Sequence, residues 1–71
     1  MNLKQIIGKN LRELRCQFGL TQKQVAQTLG VAYQTYQAYE IGTNYPTIEN
    51  LLSLANMFDV SVDFLLGQKE Y

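Results

Sequence analysis

Two side-chain amides, Gln34 and, one helical turn further along, Gln37, with Tyr33 beside the first, are the residues of this chain best suited to directional recognition. A primary amide donates and accepts at once, and Gln matches the N6 and N7 edge of adenine bidentately. On any exposed helix the same residues are ordinary helix formers, so their meaning depends on the element that carries them. Acid–base and nucleophilic chemistry has little to work with. The chain has no histidine, which removes Ser/His and Cys/His pairs, and its single Cys16 completes neither a thiolate zinc site nor an internal disulfide. Glu49, Asp59 and Asp63 fall at helix starts and ends, where carboxylates favour the helix dipole. No catalysis, metal or cofactor is expected.

The elements around these amides are legible from caps and periodicity. Leu3, Ile7, Leu11, Leu14 and Phe18 form one apolar stripe, predicting a first helix that ends at Gly19 and leaves Cys16 exposed. Thr21 is an N-cap, Gln24 closes a capping box and Leu20 staples onto Val25, so a second, short helix starts here and stops at Gly30. Val25, Ala26 and Leu29 make its inner face. A third helix over residues 32 to 40 follows at once, with Ala32 a poor N-cap and Tyr36 and Tyr39 turned into the core. After a loop from Gly42 to Pro46, Thr47 caps a fourth helix with Ile48, Leu51, Leu52, Ala55 and Phe58 inward. Asp59 takes the left-handed exit, Ser61 caps a very short fifth helix with Val60 and Leu65 as its staple, and Gly67 stops it.

Seventy-one residues, 46% of them hydrophobic, suffice for one domain, 1–67, followed by a short tail, 68–71. A core this small gains from self-association. Met57, turned away from the fourth helix's inner face, and Phe64 are the expected dimer interface. The formal charge is zero but lopsided. Residues 1–23 carry Lys4, Lys9, Arg12, Arg15 and Lys23 against Glu13, a net +4; residues 24–71 carry Lys69 against Glu40, Glu49, Asp59, Asp63 and Glu70, a net −4. The basic third can sit over phosphates. The opening residues contain neither an apolar leader nor a membrane span, and the lone thiol fits a reducing compartment, so a cytoplasmic location is expected.

Two short helices joined by a Gly-containing turn follow the plan of a helix-turn-helix. Residues 6 to 67 closely resemble the Xre/Cro family of bacterial and phage repressors. The resemblance rests on Leu14 and Arg15, on "GLTQ" at residues 19–22, on "VA" then "LGV", on Tyr39 and Glu40, on Pro46, and on the closing "VS.D.LLG" pattern. It implies an all-α, compact five-helix lambda-repressor-like domain with its helix-turn-helix at helices 2 and 3. It also implies a sequence-specific transcriptional regulator that binds double-stranded DNA as a homodimer on a two-fold operator, through the major groove. On that plan Tyr33, Gln34, Gln37 and Ala38 face bases. Thr21, Gln22, Lys23, Thr35 and Asn44 face phosphates, and Arg15 pairs with Glu40. Tyr33, Ala38, Ile41 and Thr43 stand where the family often has cations, so non-specific binding is expected to be weak and less salt-dependent. The neutral charge supports one alternative, a protein-interaction module of the same fold that binds a larger regulator or a toxin.

Overall fold

The computed structural model describes residues 1–68, so the expected tail lies, beyond Gln68, outside the described residues. Five helices follow in order: α1 (Leu3–Gln17), α2 (Gln22–Leu29), α3 (Tyr33–Ile41), α4 (Ile48–Met57) and α5 (Val62–Leu65). This is the all-α, five-helix architecture expected of a lambda-repressor-like domain.

Local chemistry sets most of the boundaries. Thr21 accepts from the Gln24 backbone N–H while the Gln24 side chain accepts from the Thr21 N–H, a complete capping box. Asn2 and Gln5 build a second such box at the start of α1. Thr47 and Ser61 cap α4 and α5, whereas Ala32 offers α3 no side-chain cap. Gly30, at φ 79°, closes α2 in the left-handed region, where a Cβ is disfavoured, and lets α3 start three residues later. Asp59, at φ 55°, makes the same exit after α4.

The core joins all five helices: Ile7, Leu11 and Leu14 of α1, Val25 and Ala26 of α2, Tyr36 and Tyr39 of α3, Leu54, Ala55 and Phe58 around α4, and Leu65 of α5. α3 packs chiefly against α1 and α2. Gly8 makes the α1 crossing possible. A Cβ there would stand 2.4 Å from the Glu40 carbonyl oxygen and 2.6 Å from that of Tyr39, so the two backbones approach as only glycine allows. Asn10 of α1 donates its side-chain N–H to the Phe64 and Leu65 carbonyls at 3.2 and 3.1 Å, tying down the end of α5.

The fourth helix departs from its sequence-based orientation. Ile48 and Leu52 are 83% and 53% exposed, and Leu54 takes the central buried position. At about 100° per residue the apolar side chains of this segment other than Met57 span an arc of about 160°, from Leu54 through Phe58, Leu51 and Ala55 to Ile48 and Leu52, and Met57 lies about 60° beyond Leu54. The domain covers the Leu54 side of that arc only. Rotating the buried face this way also carries Met57 inward. Met57 and Phe64, expected to be exposed, are half-buried and packed against the core.

Candidate nucleic-acid interface

Glu40, the penultimate residue of α3, organises the region. Its side chain is 3% exposed, a costly place for a charge unless it is paired. Arg15 of α1 approaches with Nε 2.6 Å from Oε2 and Nη2 3.1 Å from Oε1, the bidentate geometry that guanidinium and carboxylate share, and its Nη1 donates to the Leu20 carbonyl at 2.9 Å. Burial alone would push the Glu40 carboxyl up. The hydrogen bonds from Arg15, the adjacent Tyr36 hydroxyl, the hydrogen bond from Gln22 and the guanidinium charge outweigh that and hold it below its ordinary value. The hydrogen bond to Glu40 in turn raises the Arg15 pKa.

From this pair a polar chain runs to the start of α3. Gln22 Nε2 donates to Glu40 Oε1 at 3.0 Å, the Tyr33 hydroxyl donates to Gln22 Oε1 at 3.3 Å, and Gln37 Nε2 donates to the Tyr33 hydroxyl oxygen at 3.5 Å. Lys23 places its Nζ 5.7 Å from the centre of the Tyr33 ring, a cation–π contact that brings a positive charge to the N-terminal end of α3. Beyond the other end of α3, Lys4 Nζ sits 5.4 Å from the Tyr45 ring centre. Thr21, Gln22, Lys23 and Tyr33 share the wall of one shallow depression with Arg15 and Leu20.

The structure therefore brings Arg15, Glu40, Gln22, Tyr33, Gln37 and Lys23 into one cluster. Gln34, at the second position of α3, is exposed, and its amide makes no hydrogen bond among the described residues. Thr35 and Ala38 are half-buried, while Thr21 and Asn44 are exposed. The basic first third is dispersed: Arg15 is neutralised by Glu40, Lys4 stacks on Tyr45, and of the five cations Lys23 lies beside the start of α3. Gln22 differs most from its sequence-based role, because its side-chain amide is committed on both sides, to Glu40 and to Tyr33. Sequence reasoning missed Gly8, which seats α1 against the end of α3, and Asn50, whose Nδ2 donates to the buried Tyr39 hydroxyl at 3.2 Å.

A capped α2, a glycine hinge and an α3 whose inner face is core and whose outer face is amide define a helix-turn-helix unit. The helix-turn-helix family pattern matches residues 11–65, and the chain belongs to that family. It is 39% identical over 61 residues to the uncharacterized HTH-type transcriptional regulator YqaE of Bacillus subtilis, covering 86% of this chain and 53% of that protein. It is 39% identical over 64 residues to the HTH-type transcriptional regulator ImmR of the same species, covering 90% and 50%. It is 36% identical over 62 residues to the cryptic phage CTXphi transcriptional repressor RstR of Vibrio cholerae, covering 87% and 55%. The chain thus spans about half the length of these relatives. Among the described residues no helix is long and apolar enough to cross a membrane.

Proposed function

We propose that this chain is the DNA-reading part of a transcriptional regulator that acts, as a repressor, by occupying a two-fold operator in the cytoplasm, without catalysis. The observation that carries this reading is the exposed amide of Gln34. It projects from the N-terminal part of α3, where helix-turn-helix proteins meet base edges, while the amides of Gln22 and Gln37 are held by internal bonds. Gln34 reads adenine in the major groove, Tyr33 and Gln37 supply a pre-ordered neighbouring surface, and Ala38 leaves room further along.

Phosphate binding falls to the beginning of α2. The Thr21 hydroxyl accepts from Gln24 N–H and keeps its own proton free to donate. The backbone N–H groups of Gln22 and Lys23 occupy the first turn, where the helix has no internal acceptor for them, and the dipole favours an anion. The Lys23 ammonium adds charge, and Gln22 contributes its backbone rather than its engaged amide. Thr35 and Asn44 reach the opposite backbone. These contacts position the domain, and α3 selects the sequence.

Selection of bound duplexes from a random pool tests the proposal. A two-fold consensus with half-site centres about one helical turn, roughly 34–36 Å, apart supports it. Recovery of no enriched sequence at low salt overturns it.

A further inference from the structure

We infer that the buried Glu40 carboxylate, acting through Gln22 and Tyr33 as a positioning residue, fixes which end of the Gln37 amide is offered to DNA. The end offered is the oxygen, Oε1. Gln37 therefore reads bases that carry an exocyclic amino group in the major groove, adenine through N6 or cytosine through N4. This rests on the operator-binding reading above and adds the chemical class of base that Gln37 accepts from.

Each link of the chain from Glu40 to Gln37 has one permitted direction. Arg15 grips Glu40 bidentately and keeps it ionised, and an ionised carboxylate can only accept. Gln22 must approach it with Nε2, as it does at 3.0 Å, which turns the Gln22 oxygen toward Tyr33. An amide oxygen can only accept as well, so the Tyr33 hydroxyl gives its proton to Gln22, at 3.3 Å. The hydroxyl oxygen then has lone pairs and nothing left to donate. Gln37 can meet it only with Nε2, which stands 3.5 Å away, the longest of these bonds. Its Oε1 accepts from no protein group among the described residues.

Gln34 offers the contrast, because its amide makes no hydrogen bond among the described residues and can turn either end to a base. Gln37 is half-buried one turn after Tyr33, and Lys23 over the Tyr33 ring helps to hold the phenol in place. Flipping an amide exchanges donor for acceptor. An outward NH2 suits guanine O6 and thymine O4, whereas an outward oxygen suits adenine N6 and cytosine N4. A keto oxygen set against Oε1 leaves two desolvated acceptors facing each other without a proton between them.

Two measurements test this. In the free protein, nuclear Overhauser contacts between the Gln37 side-chain NH2 and the Tyr33 ring are expected, and they should weaken severalfold in Gln22→Met. That variant keeps the side-chain length and the Arg15–Glu40 pair while breaking the chain of bonds. Contacts absent from wild type, or undiminished in Gln22→Met, overturn the inference whatever the DNA result. Single groups are then deleted from the operator base pair at which Gln37→Ala flattens preference. The amino group is removed with purine for adenine or pyrimidinone for cytosine, and the keto oxygen is removed separately. Relative to Gln37→Ala, wild type should lose about two- to tenfold in affinity with the amino group, the contribution of one hydrogen bond, and Gln22→Met less than about twofold. Gln22→Met combined with Gln37→Glu should regain the loss, because a carboxylate can only accept. A wild-type loss confined to the keto oxygen, or an amino-group loss as large in Gln22→Met, overturns the assignment. If the free-protein contacts behave as expected and no duplex binds, the ordering of Gln37 stands and the operator reading falls.

Discussion

Gln22 Nε2 and Arg15 Nη2 converge on one oxygen, Glu40 Oε1, at 3.0 and 3.1 Å, so a single carboxylate holds together the first helix, the start of the second and the end of the third. With the Tyr33 hydroxyl donating to Gln22 Oε1 at 3.3 Å at the start of α3, the orientation of that helix is set at both ends by side chains on other helices.

Because this carboxylate is buried, removing its partner should cost more than the loss of a surface ion pair. Arg15→Ala is expected to lower stability by about 3–5 kcal/mol, since it leaves Glu40 desolvated and uncompensated. Denaturant unfolding measures it, and a change no larger than that of an exposed pair, about 0–1 kcal/mol, would contradict the burial argument.

The pH dependence follows in sign. The folded carboxyl of Glu40 is held below the ordinary 4.5, so its contribution is present above that value and is lost as pH falls through the lowered folded value. Glu40→Gln should flatten the acid limb of a plot of stability against pH. An acid limb of unchanged steepness would place the titrating group elsewhere.

Tyr36 supplies the alkaline counterpart. Its buried hydroxyl lies beside the Glu40 carboxylate without a well-formed hydrogen bond among the described residues, and burial first, then that carboxylate, push its pKa well up from 10.0. The folded state is thus favoured below about pH 10 and loses that advantage as pH rises beyond it, because the unfolded chain ionises first. Tyr36→Phe should shift alkaline unfolding to higher pH. At neutral pH it should cost little, since an unpaired buried hydroxyl contributes no bond. A neutral-pH loss above about 1.5 kcal/mol would mean that the hydroxyl is bonded.

Gly8→Ala tests the closest backbone approach. Its Cβ would meet the Glu40 carbonyl oxygen at 2.4 Å, and neither main chain can rotate away, so an overpacking cost of about 1–3 kcal/mol or more is expected. A melting temperature equal to that of wild type would show that α1 shifts freely on α3.

Much of this was legible in the sequence, and the boundary is physical. Thr21 with Gln24, Gly30, Asp59 and Ser61 act within a few residues of themselves, and Tyr36 and Tyr39 follow a helical period, so each could be placed from the chain alone. Gly8 and Asn10 act on carbonyls far along the chain, and nothing local distinguishes them from a weak helix position and a surface amide. The engagement of Gln22 depends on Glu40, eighteen residues later. In α4 the apolar arc exceeded what the domain buries, so periodicity identified the helix and left its rotation open.

The hydroxyl of Tyr33 links Gln22 to Gln37, so Tyr33→Phe removes both bonds and keeps the ring. Preference at the base pair facing Gln37 should relax, with folding unchanged because the hydroxyl lies outside the core. Binding to a set of single-base operator variants checks this, and an unaltered preference would show that Gln37 needs no support.

Base reading by α3 through Gln34 can be measured as binding to all four bases at every operator position for wild type and Gln34→Ala. Preference should relax by about 1–3 kcal/mol at one base pair per half-site, an A·T pair, with the melting temperature unchanged. Two identical preference profiles, offset only in affinity, would contradict it.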